Sequence, residues 1–127
     1  MTEIWKDVPS FEPHYEVSNL GAVRSKTRAV PYGKNGRATY KGRELKQFIS
    51  GKYLSVKLSR QGNTVTTYTH HLVLSAFVGP RPFTEERGEI RHLNGDKTDN
   101  RLENLAYGTI TENAADRIKH RQERTAQ

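Results

Sequence analysis

The stretch from Arg91 to Asn113 constrains the fold more than any other part of this 127-residue chain. It has the pattern of a strand, a polar turn at Asn94-Gly95-Asp96, a short second strand and the start of a helix. Asn, Asp and Gly favour tight turns, because they tolerate the left-handed backbone that such turns often need. We therefore predict a hairpin with strands at residues 88–93 and 105–107, followed by a helix.

The predicted helix has a recognisable first turn. Thr109 and Glu112 fit a capping box, with Thr109 as the N-cap and Glu112 at the third helical position. Four polar residues then share one helix face at spacings of three, four and seven: Asn113, Asp116, Arg117 and His120. A hairpin and helix of this kind can place one imidazole, one carboxamide and a metal ligand around a single phosphate.

The first half of the chain predicts short β-strands. Apolar and polar residues alternate in residues 3–9 and 15–25, with a turn at Asn19-Leu20-Gly21. Residues 27–42 are polar and basic, and they predict either a loop that orders on binding or a wide hairpin. Further strands are predicted at residues 44–50, 52–60 and 65–68.

The pattern changes to helical spacing between His70 and Phe77, with Thr69 as the expected N-cap. A tight turn at Gln61-Gly62-Asn63 marks a soft boundary between the two halves of the chain. The predicted fold class is therefore α+β, with an N-terminal antiparallel β module followed by a ββα unit.

Positive charge is concentrated in one third of the chain. The formal net charge is +7, but between Gly21 and Gln61 the only acidic residue is Glu44. A locally basic surface suits a polyanion, because contacts to phosphates release counterions. We therefore predict that DNA lies against the basic side chains of this segment, which are Arg24, Lys26, Arg28, Lys34, Arg37, Lys41, Arg43, Lys46, Lys52, Lys57 and Arg60.

Composition also excludes several classes of protein. The chain contains no cysteine, which rules out a disulfide framework and a cysteine-bound zinc. No apolar run approaches the length needed to span a bilayer, and Met1-Thr2-Glu3 opens no signal peptide. We therefore expect a cytoplasmic protein with no membrane partner.

Two motifs resemble a known family. Trp5-Lys6-Asp7-Val8 and the pattern from Tyr15 to Ser25 are similar to the NUMOD4-like module that precedes the nuclease domain in many phage and intron-encoded endonucleases. The stretch from Arg91 to Asn113 resembles the HNH endonucleases, which are ββα-metal nucleases and include homing endonucleases. The resemblance implies a DNA-contacting module at residues 1–62 and an HNH nuclease domain at residues 63–127.

The same resemblance implies roles for three residues. His92 corresponds to the general base that deprotonates water, and a near-neutral imidazole suits that task. Asn104 corresponds to the middle Asn of the family name, which ties the hairpin together and helps to hold the base. Asn113 corresponds to the position that gives an amide oxygen to a divalent metal. Oxygen ligands favour Mg²⁺ or Mn²⁺ over Zn²⁺.

One residue departs from the family pattern. Relatives with one metal carry an Asp or a His directly before the base, whereas this chain has Arg91, which cannot ligate a cation. Asp116 or His120 is the favoured replacement ligand. Alternatively, Arg91 contributes to catalysis by contacting the phosphate directly. Asp96 is a further ligand candidate in the turn.

His70 and His71 leave two further alternatives open. Either residue could reach the metal from the helix that precedes the hairpin. Adjacent histidines also act as ligand and base in some branches of the family, although here a helix follows them directly. A hairpin leading to an Asn would be expected after such a pair, so the pair is the weaker interpretation.

These observations predict a metal-dependent DNA endonuclease that hydrolyses phosphodiester bonds of double-stranded DNA. Two alternatives stay open: a catalytically weakened DNA-binding module, which Arg91 suggests, and a phage packaging nuclease that depends on a partner. The expected partners besides DNA are a second copy of the chain or phage packaging proteins. The expected location is the cytoplasm of a bacterial host that carries the phage.

Overall fold

A computed structural model describes residues 2–80, 89–108, 115–116 and 118–121. Their secondary structure is mostly β, and the first eight strands precede the helix α1 at Thr69–Phe77. These strands are β1 (Trp5–Asp7), β2 (Tyr15–Ser18), β3 (Val23–Ser25), β4 (Arg28–Tyr32), β5 (Gly36–Tyr40), β6 (Phe48–Ser50), β7 (Tyr53–Arg60) and β8 (Asn63–Tyr68). After α1 come β9 (Glu89–His92), a 3₁₀ helix (Leu102–Asn104) and β10 (Leu105–Gly108).

The strands form antiparallel sheets that follow chain order. Within the described residues, β1-β2-β3 and β6-β7-β8 are three-stranded, while β4-β5 and β9-β10 are two-stranded hairpins. Residues 115–116 and 118–121 are helical. The α+β class is confirmed, as is the order of an N-terminal antiparallel module followed by a hairpin and a helix.

Within the described residues, a hydrophobic core joins the N-terminal strands to β7, α1 and β10. Val17 and Val23 of the first sheet are fully buried, as is Val56 of β7. Tyr15 packs in the same core, and its hydroxyl accepts a hydrogen bond from the Ser59 amide at 2.9 Å. The core is completed by side chains of α1 and β10, which are Leu72, Val73, Leu74 and Leu105.

The suggested boundary between residues 62 and 63 lies at the tip of the β7–β8 hairpin. Gln61 and Gly62 form its turn, with φ angles of 51° and 82°. Six residue pairs then connect β7 to β8, from Arg60–Asn63 to Ser55–Tyr68. The division into residues 1–62 and 63–127 stays a prediction.

Two local predictions are wrong. The strand predicted from residue 44 begins only at Phe48, and Glu44 forms an isolated bridge with Arg24. Thr69 is not the N-cap of α1 but its first residue. Its hydroxyl donates to the Gln47 side-chain oxygen at 2.8 Å, because this half-buried polar partner from the connection between β5 and β6 lies within reach.

The basic segment at residues 27–42 is a hairpin, which was one of its two predicted forms. β4 and β5 pair over five residues, from Arg28–Tyr40 to Tyr32–Gly36. No helix among the described residues is both long enough and apolar enough to cross a membrane.

Candidate active site

His92 is the last residue of β9 and lies opposite Leu105 of β10. The side chain is only 8% exposed, and its Nε2 lies 2.9 Å from the Asn100 Oδ1. The Tyr53 ring stacks near the imidazole at 6.0 Å, and the His70 ring meets it edge-on at 5.3 Å. The imidazole is therefore held by one hydrogen bond and two aromatic neighbours.

Burial changes the acid–base behaviour of this histidine. Removal from water disfavours the imidazolium and lowers the pKa of His92 from its ordinary value, while the hydrogen bond to Asn100 opposes that change. His92 is therefore neutral at physiological pH. A neutral imidazole is the form that can accept a proton from water.

Asn104 ties the loop between β9 and β10 together. Its Oδ1 accepts a hydrogen bond from the Asn94 amide at 2.9 Å. Its Nδ2 donates to the Asn94 side chain and to the Asp99 carbonyl, both at 2.9 Å. The Asn104 carbonyl also accepts from the Leu93 amide, directly after His92. This arrangement agrees with the expected tying of the hairpin, whereas any catalytic part of Asn104 stays a prediction.

The outer part of the loop is held by carboxylates. Asp96 accepts from the Thr98 amide and hydroxyl at 3.0 and 2.7 Å. Asp99 binds the Arg101 guanidinium, and this pairing lowers the pKa of Asp99 to about 2. Asp96 is exposed and used within its own turn, so its role as a metal ligand stays a prediction.

Arg91 forms a two-point ion pair with Asp116 on the C-terminal helical segment. Its Nε and Nη2 lie 2.8 and 3.0 Å from the two carboxylate oxygens. The guanidinium lowers the pKa of Asp116, which stays ionised at neutral pH. Gly108 of β10 leaves space for this arm, because a β-carbon there would collide with the Arg91 side chain.

His120 lies against the turn of the hairpin. Its Nε2 is 3.0 Å from the Leu93 carbonyl, which fits an N–H donor at that position. A β-carbon at Gly95 would lie 2.8 Å from the His120 Nδ1, and Gly95 also has a φ of 79°. The conformation and the small size of Gly95 therefore allow this helical segment to approach the hairpin.

The described residues do not by themselves make a divalent-metal site. No group of three or more His, Asp or Glu side chains that could hold a metal comes together within them. The Asp116 carboxylate is paired with a guanidinium, and His120 contacts a backbone carbonyl. Asn113 and the predicted capping box at Thr109 and Glu112 lie outside the described residues. Metal ligation by Asn113, Asp116 and His120 stays a prediction.

The structure brings His70, but not a separate catalytic pair, to the site. His70 is buried in the first turn of α1 and contacts the His92 and Tyr53 rings. His71 packs beside His70 and Tyr68. A second HNH-type site would need a hairpin directly after this pair, whereas the described residues that follow it form α1.

The basic residues of the N-terminal half include two overlapping groups, and Lys26 belongs to both. Arg24 pairs with Glu16 at 3.0 Å and stacks on Trp5 at 3.9 Å, and Lys26 pairs with Asp7 at 2.8 Å. A second group faces an open cleft of about 340 Å³ whose basic and aromatic lining includes Lys26, Arg28, Tyr40, Lys41 and Arg43. Binding of DNA by either group stays a prediction, as it does for Lys34, Arg37, Lys46, Lys52, Lys57 and Arg60.

Two residues of this site were missed by the sequence reasoning. Asn100 holds the His92 ring, and Tyr53 stacks beside it. A signal for Asn100 was present, since Asn94, Asn100 and Asn104 recur within eleven residues of one polar turn. Tyr53 gave no local signal, because β7 is far from His92 in the sequence.

Two family models and a viral protein match this chain. Residues 3–59 match the family model of the NUMOD4 motif, and residues 67–115 match that of an HNH endonuclease. The chain is 35% identical over 116 residues to an uncharacterized HNH endonuclease, L247, of Acanthamoeba polyphaga mimivirus. That alignment covers 88% of this chain and 25% of the viral protein.

A solved structure is similar as well. It describes DNA binding and cleavage by the HNH homing endonuclease I-HmuI, and it matches with a TM-score of 0.70 and 29% identity. The match covers 91% of this chain and 58% of the other. This chain thus spans a quarter of the viral relative and somewhat over half of the solved one.

Proposed function

We propose that this chain, which belongs to the HNH endonuclease family and carries a NUMOD4 motif ahead of its nuclease region, is a metal-dependent DNA endonuclease. The observation that carries the proposal is the buried, neutral imidazole of His92 at the end of β9. Such a group can deprotonate a water molecule without first losing a proton itself.

In the proposed reaction, His92 takes a proton from water, and the resulting hydroxide attacks a DNA phosphate in line with the departing 3′-oxygen. The bond to the 3′-oxygen breaks, this oxygen takes a proton from solvent water, and the products are a 5′-phosphate and a 3′-hydroxyl. Asn104 keeps the loop closed around the backbone that carries His92. Tyr53 and His70 restrict the ring to one orientation, which lowers the entropic cost of the attack.

A divalent cation, Mg²⁺ or Mn²⁺, belongs to the proposal as the group that neutralises charge on the phosphate and stabilises the leaving oxygen. Asn113, Asp116 and His120 are the ligand candidates. The Asp116 carboxylate is ionised, which suits a cation, but Arg91 already binds both of its oxygens. We therefore infer that Arg91 and the metal either share or compete for this carboxylate.

The basic cleft would bind the DNA backbone. Lys41 and Arg43 line it with Arg28, and the exposed ring of Tyr40 lies among them. Cations of this kind contact phosphates without reading sequence. I-HmuI binds and cleaves DNA as a homing endonuclease, which supports double-stranded DNA as the partner here.

A second function, DNA binding with weakened catalysis, is favoured by one observation. The two-point Arg91–Asp116 pair occupies a carboxylate that a metal would need. In that case the chain would bind duplex DNA through the same cleft but would cut it slowly or only with a partner.

Supercoiled plasmid DNA incubated with the protein tests the two functions. We expect nicked or linear product with Mg²⁺ or Mn²⁺ and none with EDTA, and we expect binding in each case. DNA that is shifted in a gel but uncut in every metal would contradict the endonuclease proposal and favour the weakened binder.

A further inference from the structure

Asn100 connects His92 to the N-terminal strands. Its side chain is 4% exposed, and its Oδ1 faces the His92 Nε2 at 2.9 Å. A carboxamide oxygen is only an acceptor, so with Oδ1 facing the ring, as the structure places it, the hydrogen bond forms when the ring carries its proton on Nε2. The lone pair is then left on Nδ1, the other ring nitrogen.

The Asn100 backbone is itself packed against the Asn19–Gly21 turn. A β-carbon at Gly21 would lie 3.1 Å from both the carbonyl carbon and the carbonyl oxygen of Asn100. Gly21 has a φ of 88°, a conformation that suits glycine. Two residues further along, the Leu102 amide donates to the Asn19 carbonyl at 2.8 Å. The turn therefore touches the loop on both sides of Arg101.

The turn is rigid because its own polar groups are satisfied. The Ser18 hydroxyl accepts from the Leu20 and Ala22 amides, and the buried Asn19 side chain accepts from the Ile4 amide at 2.7 Å. The Gly21 carbonyl accepts from the Gln47 side chain at 2.8 Å.

Gln47 extends this network to the helix. Its side-chain oxygen accepts from the Thr69 hydroxyl, and the next residue, His70, contacts the His92 ring. The same turn thus supports His92 through Asn100 and supports the neighbouring helix through Gln47.

We propose that Asn100 is a positioning residue that fixes the His92 imidazole as the Nε2–H tautomer, and that the Asn19–Gly21 turn holds Asn100 in place. The consequence for catalysis rests on the proposed function, since it takes Nδ1 as the atom that accepts the proton of water. The N-terminal module then contributes to the chemistry of the nuclease site as well as to DNA contact.

Nitrogen NMR of the imidazole tests the tautomer without DNA or metal. We expect a His92 Nε2–H signal in the unmodified protein, because burial and a hydrogen bond slow its exchange with water. Asn100→Ala should abolish that signal, and Asn100→Asp, which keeps an acceptor, should retain it. A proton on Nδ1, or an unchanged Nε2–H signal in Asn100→Ala, would overturn the proposal.

Two glycine variants test the role of the turn. Gly21→Ala should weaken or abolish the Nε2–H signal, because the added methyl group displaces Asn100. Gly62→Ala is the matched control, since Gly62 has a similar φ of 82° but nothing within 4 Å of its would-be β-carbon. Equal signals in the two variants would overturn the role of the turn, with near-ultraviolet circular dichroism verifying that both proteins are folded.

Kinetics separate positioning from a merely structural role. Asn100→Ala should slow cleavage by roughly 10- to 100-fold, as loss of an orienting partner does elsewhere, while DNA affinity stays within about twofold. Partial recovery in Asn100→Asp is also expected. Cleavage at the unmodified rate in Asn100→Ala would contradict positioning. If the unmodified protein does not cut DNA, the endonuclease proposal fails, and the NMR result alone still decides this inference.

Discussion

The loop between β9 and β10 and the β4–β5 hairpin are both polar, but the loop buries key polar side chains and the hairpin exposes them. In the loop, His92, Asn100 and Asn104 are each at most 8% exposed and hydrogen-bonded. In the hairpin, Tyr32 and Tyr40 are 70% and 56% exposed. The loop is arranged before any ligand arrives, whereas the hairpin presents groups that can adjust to one.

The difference has a physical consequence for substitutions. A buried polar group that loses its partner costs its full desolvation, so a change in the loop should have a large effect. An exposed cation contributes a small and nearly additive part of DNA affinity. The comparison therefore predicts severe effects in the loop, and graded effects in the β4–β5 hairpin and the basic cleft that it helps to line.

The largest effect is expected for Asn104→Ala. The variant loses the three hydrogen bonds of the carboxamide, and at roughly 1 kcal/mol each the free energy of unfolding should fall by about 3 kcal/mol. Urea denaturation measures this, with Asn63→Ala at the exposed β7–β8 turn as the control. A decrease in the free energy of unfolding no larger than that of the control would contradict the view that the loop is the rigid region.

Arg91→Ala should lower the stability by an intermediate amount but strengthen metal binding. Loss of the half-buried pair with Asp116 should lower the free energy of unfolding by about 1.5 kcal/mol. If Asp116 is a metal ligand, the same change should tighten Mn²⁺ binding, because the competing guanidinium is gone. Isothermal titration that gives unchanged or weaker Mn²⁺ binding would argue against Asp116 as a ligand.

Single substitutions in the basic cleft should have smaller effects. Lys41→Ala and Arg43→Ala should each weaken DNA binding several-fold, and each should reduce the salt dependence of binding by about one unit of slope. The cleavage rate at saturating DNA should not change. Fluorescence anisotropy over a range of salt concentrations measures both quantities, and a loss of cleavage with unchanged affinity would erase the distinction between the two regions.

The smallest effect concerns pH. Because burial lowers the pKa of His92 in the folded state, the unfolded chain binds its proton at a higher pH. The free energy of unfolding is therefore unaffected by His92 protonation at neutral pH. It falls as pH drops below about 6.5, the ordinary pKa of histidine, because the unfolded chain then binds a proton that the folded protein does not. NMR titration should show a His92 pKa below that value. A raised value would mean that the ring is not buried as a neutral group.

Features that depend on neighbouring residues could be predicted from the sequence, whereas contacts between distant residues could not. The β9–β10 hairpin, its turn at Asn94-Gly95-Asp96 and the placement of His92 and Asn104 were predicted from local patterns. Such patterns suffice because turns and strand alternation depend on neighbouring residues. The link from Gly21 to Asn100 could not be predicted, since it joins residues far apart in the chain.

Competition between hydrogen-bond partners accounts for the wrong N-cap prediction. Thr69 has the right residue type and position for an N-cap, yet its hydroxyl binds Gln47, which only the folded chain brings near. Arg24 and Lys26 were also predicted to face DNA, and this stays a prediction. The structure pairs both with carboxylates of the first sheet, so their charges are partly compensated.

The most direct test of the account measures cleavage and DNA affinity on the same His92→Ala protein with the same DNA. We predict that the single-turnover cleavage rate falls by about 10²- to 10⁴-fold, the range expected for loss of a general base, while affinity stays within about twofold. Cleavage at the unmodified rate would contradict the assignment of His92 as the base.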